Sequence, residues 1–148
     1  MSKSGMKNKA GVKKALNKLV FKLNNSPYDA ARKFALLAIE MMVTLSRVDT
    51  GYLIAGWIAT KDKPSKFLPN WDDYKGKKAN EAEEKRKATE RLTTQINGID
   101  NKAKKIYIVN NVKYARIREF EISPPDLTMT RGIQSAVNRI DEIARSFK

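Results

Sequence analysis

Apolar positions along the chain fall into three stretches with helical spacing and two short runs that read as strands. Val12, Leu16, Leu19, Val20 and Leu23 recur every three or four residues with lysines between them, which predicts an amphipathic helix over 9–24, ended by Asn24-Asn25. Ser26-Pro27-Tyr28-Asp29 then reads as a new helix start: a serine to accept a free backbone N–H, a proline where no N–H is needed, and an acid in the first turn. The helix that follows places Ala30, Phe34, Leu37, Ala38, Met41, Met42 and Leu45 on one side and is the longest strongly apolar stretch, so it is expected to be the core helix. The paired methionines are read as packing. Near the other end, Ile133, Ala136, Val137, Ile140, Ile143, Ala144 and Phe147 keep a 3–4 alternation and predict an amphipathic helix beginning at Thr128 or Thr130.

Between these helices the pattern changes. Val48 to Gly51 breaks the core helix, and Leu53 to Thr60 alternates as a strand does. A long loop from about Lys61 to Gly76 holds Pro64, Pro69 and Trp71. Asn80 to about Ile96 is helical by propensity, with Glu81, Glu83 and Glu84 ahead of Lys85, Arg86 and Lys87, an order that suits the helix dipole. Its apolar positions, Ala82, Ala88, Leu92 and Ile96, are few, so it is expected to be a solvated helix on an insertion, ordered within an assembly. Asn97-Gly98 marks a turn, Lys104–Val109 a strand ended by Asn110-Asn111, and Tyr114–Ile122 either a further strand or a short helix, stopped by Pro124-Pro125. The expectation is one α+β domain over 1–148. A small antiparallel sheet packs against the long core helix and the C-terminal amphipathic helix. A flexible basic arm (1–8) and a basic helix (9–24) precede a core drawn from 26–60 and 104–148, with 61–103 as a charged insertion. A sheet of two or three strands leaves edges for neighbours to cover.

Charge adds a second layer. Thirty Lys and Arg against sixteen Asp and Glu give a net +14 over 148 residues. Lys3, Lys7, Lys9, Lys13, Lys14, Lys18 and Lys22 lie in the first 24 residues with no acid among them. Such a segment suits phosphates, an anionic lipid surface or an acidic protein, and it equally suits a solvated helix face. Lysine supplies charge without bidentate base recognition, so sequence-specific DNA reading is not expected. No apolar run approaches the length of a membrane span, and no apolar h-region follows the basic start, so neither a membrane partner nor a secretory signal is expected.

Cysteine and histidine are absent, which removes disulfides, the usual transition-metal ligands and the commonest neutral-pH base. No glycine-rich phosphate loop is present. Asp72-Asp73 and Glu81, Glu83 and Glu84 sit among lysines and read as solvated surface, not as a Mg²⁺ site. Trp57 and Trp71 could stack on bases, but Trp57 on a strand reads as core or interface. Asp49-Thr50-Gly51 matches the active triplet of aspartic proteases, which need two such carboxylates sharing a proton. Here the triplet ends a helix and no second copy follows; it reads as a turn, with Asp49 capping local amides and Gly51 supplying a positive φ. No catalytic residue, cofactor or metal is assigned.

Ser46-Arg-Val-Asp-Thr-Gly-Tyr-Leu-Ile-Ala-Gly-Trp57 resembles a signature of tailed-bacteriophage neck and minor tail proteins, in which a helix ends in a Val-Asp-Thr-Gly turn followed by Leu, a small residue and Ser or Trp. Ile106-Tyr-Ile-Val-Asn110, Tyr114-Ala115-Arg116 and Glu119-Phe120 resemble its second half, and the likeness runs in order over about 27–147 with 61–103 inserted. Members commonly carry Gly soon after the Glu, whereas here Glu119-Phe120-Glu121-Ile122 runs on. The resemblance rests on Val48, Asp49, Thr50, Gly51, Leu53, Trp57, Asn110, Tyr114, Ala115 and Glu119 as structural positions. It implies a non-enzymatic virion protein, made in the host bacterial cytoplasm. Such head-tail connector or tail-completion proteins form a homo-oligomeric ring between the portal or adaptor and the tail, around the DNA channel. Lys7, Lys9, Lys13, Lys14, Lys18 and Lys22 would then meet an acidic neighbouring ring or the packaged DNA. A small, basic, non-sequence-specific DNA-binding protein is the alternative expectation.

Overall fold

The computed structural model describes residues 9–121 and 126–146. The expected arm (1–8), the prolines at 124 and 125, Lys7, Ile122 and Phe147 lie outside the described residues. The chain runs through α1 (Lys9–Asn17, continued by a π-helical turn Lys18–Lys22), α2 (Pro27–Leu45), α3 (Tyr52–Ala55), β1 (Trp57–Lys61), α4 (Glu81–Asn97), β2 (Ile106–Asn110), α5 (Lys113–Arg116, continued by a π-helical turn Ile117–Glu121) and α6 (Thr128–Ser146). β1 and β2 pair antiparallel, Trp57 opposite Asn110 and Lys61 opposite Ile106, which makes an α+β fold with a two-stranded sheet.

α2 begins where its sequence says it should. Ser26 is extended, its hydroxyl accepts from the Asp29 N–H, and Pro27 opens the first turn. The residues α2 buries are Ala30, Phe34, Ala35, Ala38, Ile39, Met42 and Val43. Leu37, Met41 and Leu45 are only half-buried, because this helix is apolar nearly all round and leans on Ala35, Ile39 and Val43 more than the one-sided reading expected. α6 lies against it and buries Ile133, Ala136, Val137, Ile140 and Ala144, while Ile143 stays exposed. Ala15 and Leu19 of the first helix close the same core.

Two expectations need correction. The strand expected from Leu53 to Thr60 starts only at Trp57. Gly51, at φ 91°, turns the chain into a single helical turn, with Ala55 N–H donating to Gly51 O at 3.1 Å. A short apolar run does not reveal its period, so this turn and the strand behind it read alike in sequence. The second correction concerns α4, which is not a solvated appendage. Ala88, Leu92 and Ile96, spaced by four, are fully inside the core cluster, although Ala82 is exposed. Residues 61–103 therefore contribute to the core that was expected from 26–60 and 104–148 alone. Of the two readings for Tyr114–Ile122, the helical one holds over Lys113–Glu121.

Polar residues of α4 also do structural work. Arg91 donates from Nη2 to Ile54 O at 3.2 Å and Trp57 O at 3.3 Å, and Gln95 Oε1 accepts from Ala59 N–H at 2.9 Å. Burial pushes the Arg91 guanidinium down from its ordinary value, against weaker support from Tyr74 and Glu84. On the exposed face, the hydrogen bond from Arg86 holds the Glu83 carboxyl below the usual range. Among the described residues no helix is long and apolar enough to cross a membrane.

Candidate functional site

The two halves of the sequence motif meet at one corner, where α2 hands over to β1 and β2 hands over to α5. Ser46 is buried at the end of α2: its hydroxyl donates to Met42 O at 2.7 Å and accepts from the Trp57 indole N–H at 3.2 Å. The indole therefore fills the core while its one polar atom is satisfied, as a buried tryptophan requires. Val48 packs half-buried on the core, and Gly51 takes the left-handed conformation that a side chain would resist.

Thr50, not Asp49, supplies the local capping bond, its hydroxyl accepting from Tyr52 N–H at 3.3 Å. The Asp49 side chain is exposed, and the residue's fixed role is through its backbone, Asp49 O accepting from Ala79 N–H at 2.8 Å. This ties the loop after β1 to the corner. Trp71 and Tyr74 of that loop close over Tyr52, with ring centroids 5.1 and 5.7 Å away. Since nothing buried depends on its carboxylate, Asp49→Asn is expected to move the melting temperature by no more than about 2 °C, read by circular dichroism.

Asn110 joins the halves. Its amide donates to Leu53 O at 2.8 Å and its Oδ1 accepts from Val112 N–H at 3.1 Å, so one side chain ends β2 and clamps α3. Gly56 lies directly beneath: a Cβ there would sit 2.7 Å from Val112 Cγ2 and 3.0 Å from Asn110 Cγ. Ala115 N–H closes the turn onto Val112 O at 2.9 Å, and Tyr114 projects outward, 60% exposed.

Glu119 is the most informative of the motif residues. It is 7% exposed and its carboxylate accepts from Met129 N–H at 2.8 Å, Thr130 N–H at 3.0 Å and the Thr130 hydroxyl at 2.9 Å. These are the free donors of the first turn of α6, and a carboxylate there also meets the positive end of the helix dipole. The residue before α6, Leu127, sits at φ 50° and has no polar side chain to cap with. Glu119 caps in its place. Beside it, Asp126 bridges Arg47 Nε at 3.0 Å and Arg118 Nε at 2.9 Å.

The corner opens outward as a cleft of about 620 Å³ lined by Arg47, Asp49, Tyr52, Trp71, Tyr114 and Arg118, among others. Trp71 is 46% exposed there. Apart from the outward-facing Tyr114, the motif residues hold backbone or core in place; the described residues contain no cluster of acids fit for a metal. No family model, curated protein or solved structure matches this chain.

The lysines of the first helix divide. Lys9, Lys13, Lys14 and Lys22 are exposed, whereas Lys18 reaches Asp141 of α6 at 2.6 Å and serves the fold. Of the candidate contact lysines, Lys18 is thus engaged within the fold. Phe21 stands among these lysines, 84% exposed.

Sequence reasoning missed Arg91, Gln95 and Asp126. Each is a polar residue whose partner is distant in the chain, and spacing carries no signal for that.

Proposed function

We propose that the protein is a structural component of a tailed-phage neck, a head-tail connector or tail-completion subunit that forms a ring at the head-tail junction. The observation that supports this reading is that the two motif halves, separated by the long stretch from Ile58 to Lys105, converge at one corner through Asn110 and Leu53. In this reading the corner is a rigid joint, and the work of the protein lies on its surfaces. The exposed aromatic and arginine side chains around the cleft, Trp71, Tyr114 and Arg47, are of the types that dominate protein interfaces. Its partners would be further copies of itself, the portal or adaptor and the tail, with packaged DNA close to the exposed lysines.

Electron microscopy of the purified full chain, alone and with tail-less portal-bearing capsids, is expected to show closed rings at the portal vertex. Particles that stay single in both settings would remove the reading. The exposed Lys9, Lys13, Lys14 and Lys22 favour the second reading, a non-sequence-specific DNA-binding protein. Four phosphate contacts predict that the logarithm of the DNA affinity falls against that of salt with a slope of about −3.6. A slope near that value for the lone subunit, without rings, would favour DNA binding as the function. Substituting Lys9, Lys13, Lys14 and Lys22 together by Gln should then flatten the slope while leaving the fold unchanged by circular dichroism.

A further inference from the structure

The two edges of the sheet differ. Along β1, Trp57 O is held by Arg91 and Ala59 N–H by Gln95, so these odd-numbered residues turn their backbone groups away from β2 and onto α4. Asp62 N–H reaches Lys105 O at 2.9 Å just past the strand. With the observed register, the residues facing each other across the ladder are therefore Ile58 with Val109 and Thr60 with Tyr107. It follows that the N–H and C=O of Ile106 and Ile108 point to the other side of β2. No hydrogen bond reaches them among the described residues. The side chains of Ile106 and Ile108 are anchored against the core, which holds this row of donors and acceptors in place. One edge is covered and the other is a template for a strand.

We propose that this open edge pairs with the same edge of a second copy, β2 running antiparallel to β2 about a two-fold axis at Ile108. The sequence is self-complementary in that register. Tyr107 comes opposite Val109 of the partner subunit, and the symmetry makes that pair twice, an aromatic against a β-branched side chain in the closely spaced type of pair. Ile106 comes opposite Asn110 of the partner subunit. Lys105 comes opposite Asn111 of the partner subunit, so no lysine faces a lysine despite the net charge. A register centred on Ile106 would set Lys105 against Tyr107 and shorten the overlap; one centred on Asn110 would run into α5. Because α4 closes the far edge of β1, the sheet cannot propagate, and the contact ends as a four-stranded sheet across two copies. An isologous contact of this kind closes at two, whereas a ring needs a heterologous one, so this inference goes beyond the ring reading and stands or falls separately.

Sedimentation velocity on the full chain at roughly 0.15 M salt, where charge repulsion is screened beyond about 8 Å, is expected to show a concentration-dependent dimer. Ile108→Pro removes the central outward N–H without breaking a bond within the chain, and should weaken the dimer by about tenfold or more, while Ile108→Val should leave it unchanged. Since Ile108 also touches the core, a second test does not depend on that variant folding. The protein has no cysteine, so mixing Tyr107→Cys with Val109→Cys under mild oxidation should give a cross-linked heterodimer well above either variant alone. A chain that remains monomeric throughout, a dimer indifferent to Ile108→Pro in a folded protein, or cross-linking no greater in the mixture than in the single variants would each overturn the proposal. Rings seen by microscopy without this cross-link would leave the ring reading intact and remove the β2 contact alone.

Discussion

Glu119→Ala is expected to destabilise the protein by about 3 kcal/mol, a fall in melting temperature of roughly 6–12 °C for a chain of this size. The substitution removes the acceptor for Met129 N–H, Thr130 N–H and the Thr130 hydroxyl. An ordinary helix cap is worth about 1 kcal/mol, but those measurements leave water free to replace the lost side chain. Here the carboxylate is buried, the bonds are charge-assisted, and the amides it leaves behind belong to half-buried residues. Glu119→Gln keeps one acceptor oxygen and loses the charge, so it should fall between the two, near 1–2 kcal/mol. Urea titration checks the magnitude, and amide exchange checks the mechanism. Protection should drop first at Met129 and Thr130 and least at Ile39 in the middle of α2. If Glu119→Ala melts like the unchanged protein, Glu119 is not the cap of α6.

The sequence made some of this legible. Ser26-Pro27 and Asp29 place the start of α2 because an N-cap is a local arrangement within three residues. The 3–4 spacing through Ile133, Val137 and Ile140 places α6 for the same reason. Gly51 is legible as a positive-φ position, but not as the start of a helical turn, since Tyr52-Leu53-Ile54-Ala55 satisfies either reading. The cap of α6 is hidden because Glu119 lies ten residues before the amide it first bonds. Its presence in the motif gave a position without a reason. α4 is the clearest failure: Ala88, Leu92 and Ile96 make a stripe too narrow to stand out in a helix full of charge. Arg91 and Gln95 look like solvent-facing residues until the strand they serve is in place. The corner itself was legible only as an order of residues, and the Asn110 side chain is what converts that order into a joint.

Gly132→Val should destabilise the protein by about 3 kcal/mol, through the crossing of α2 and α6. A Cβ on Gly132 would lie 3.0 Å from Ala38 O and 3.3 Å from Met42 N, and would overlap the Met42 side chain. Met42 can turn aside; the α2 backbone cannot. The two helices would have to separate, loosening Ile140, Ala136, Ile39 and Leu19 together. Gly132→Ala meets the same backbone with less bulk and gains about 1 kcal/mol of helix propensity, so a net loss near 1 kcal/mol is expected. The double variant Gly132→Ala with Met42→Ala separates clash from general weakening. If the Met42 overlap matters, the pair should be more stable than the sum of the single losses by at least about 0.5 kcal/mol, whereas strict additivity would assign the effect to the backbone alone. The consequence reaches the surface. α2 ends at the motif corner, α6 begins at the Glu119 cap, and the lysine-bearing first helix is fastened to α6 by Lys18 and Asp141. The crossing at Gly132 thus sets where the exposed lysines stand relative to the corner, so Gly132→Val should disturb any assembly that needs both surfaces before it unfolds the chain.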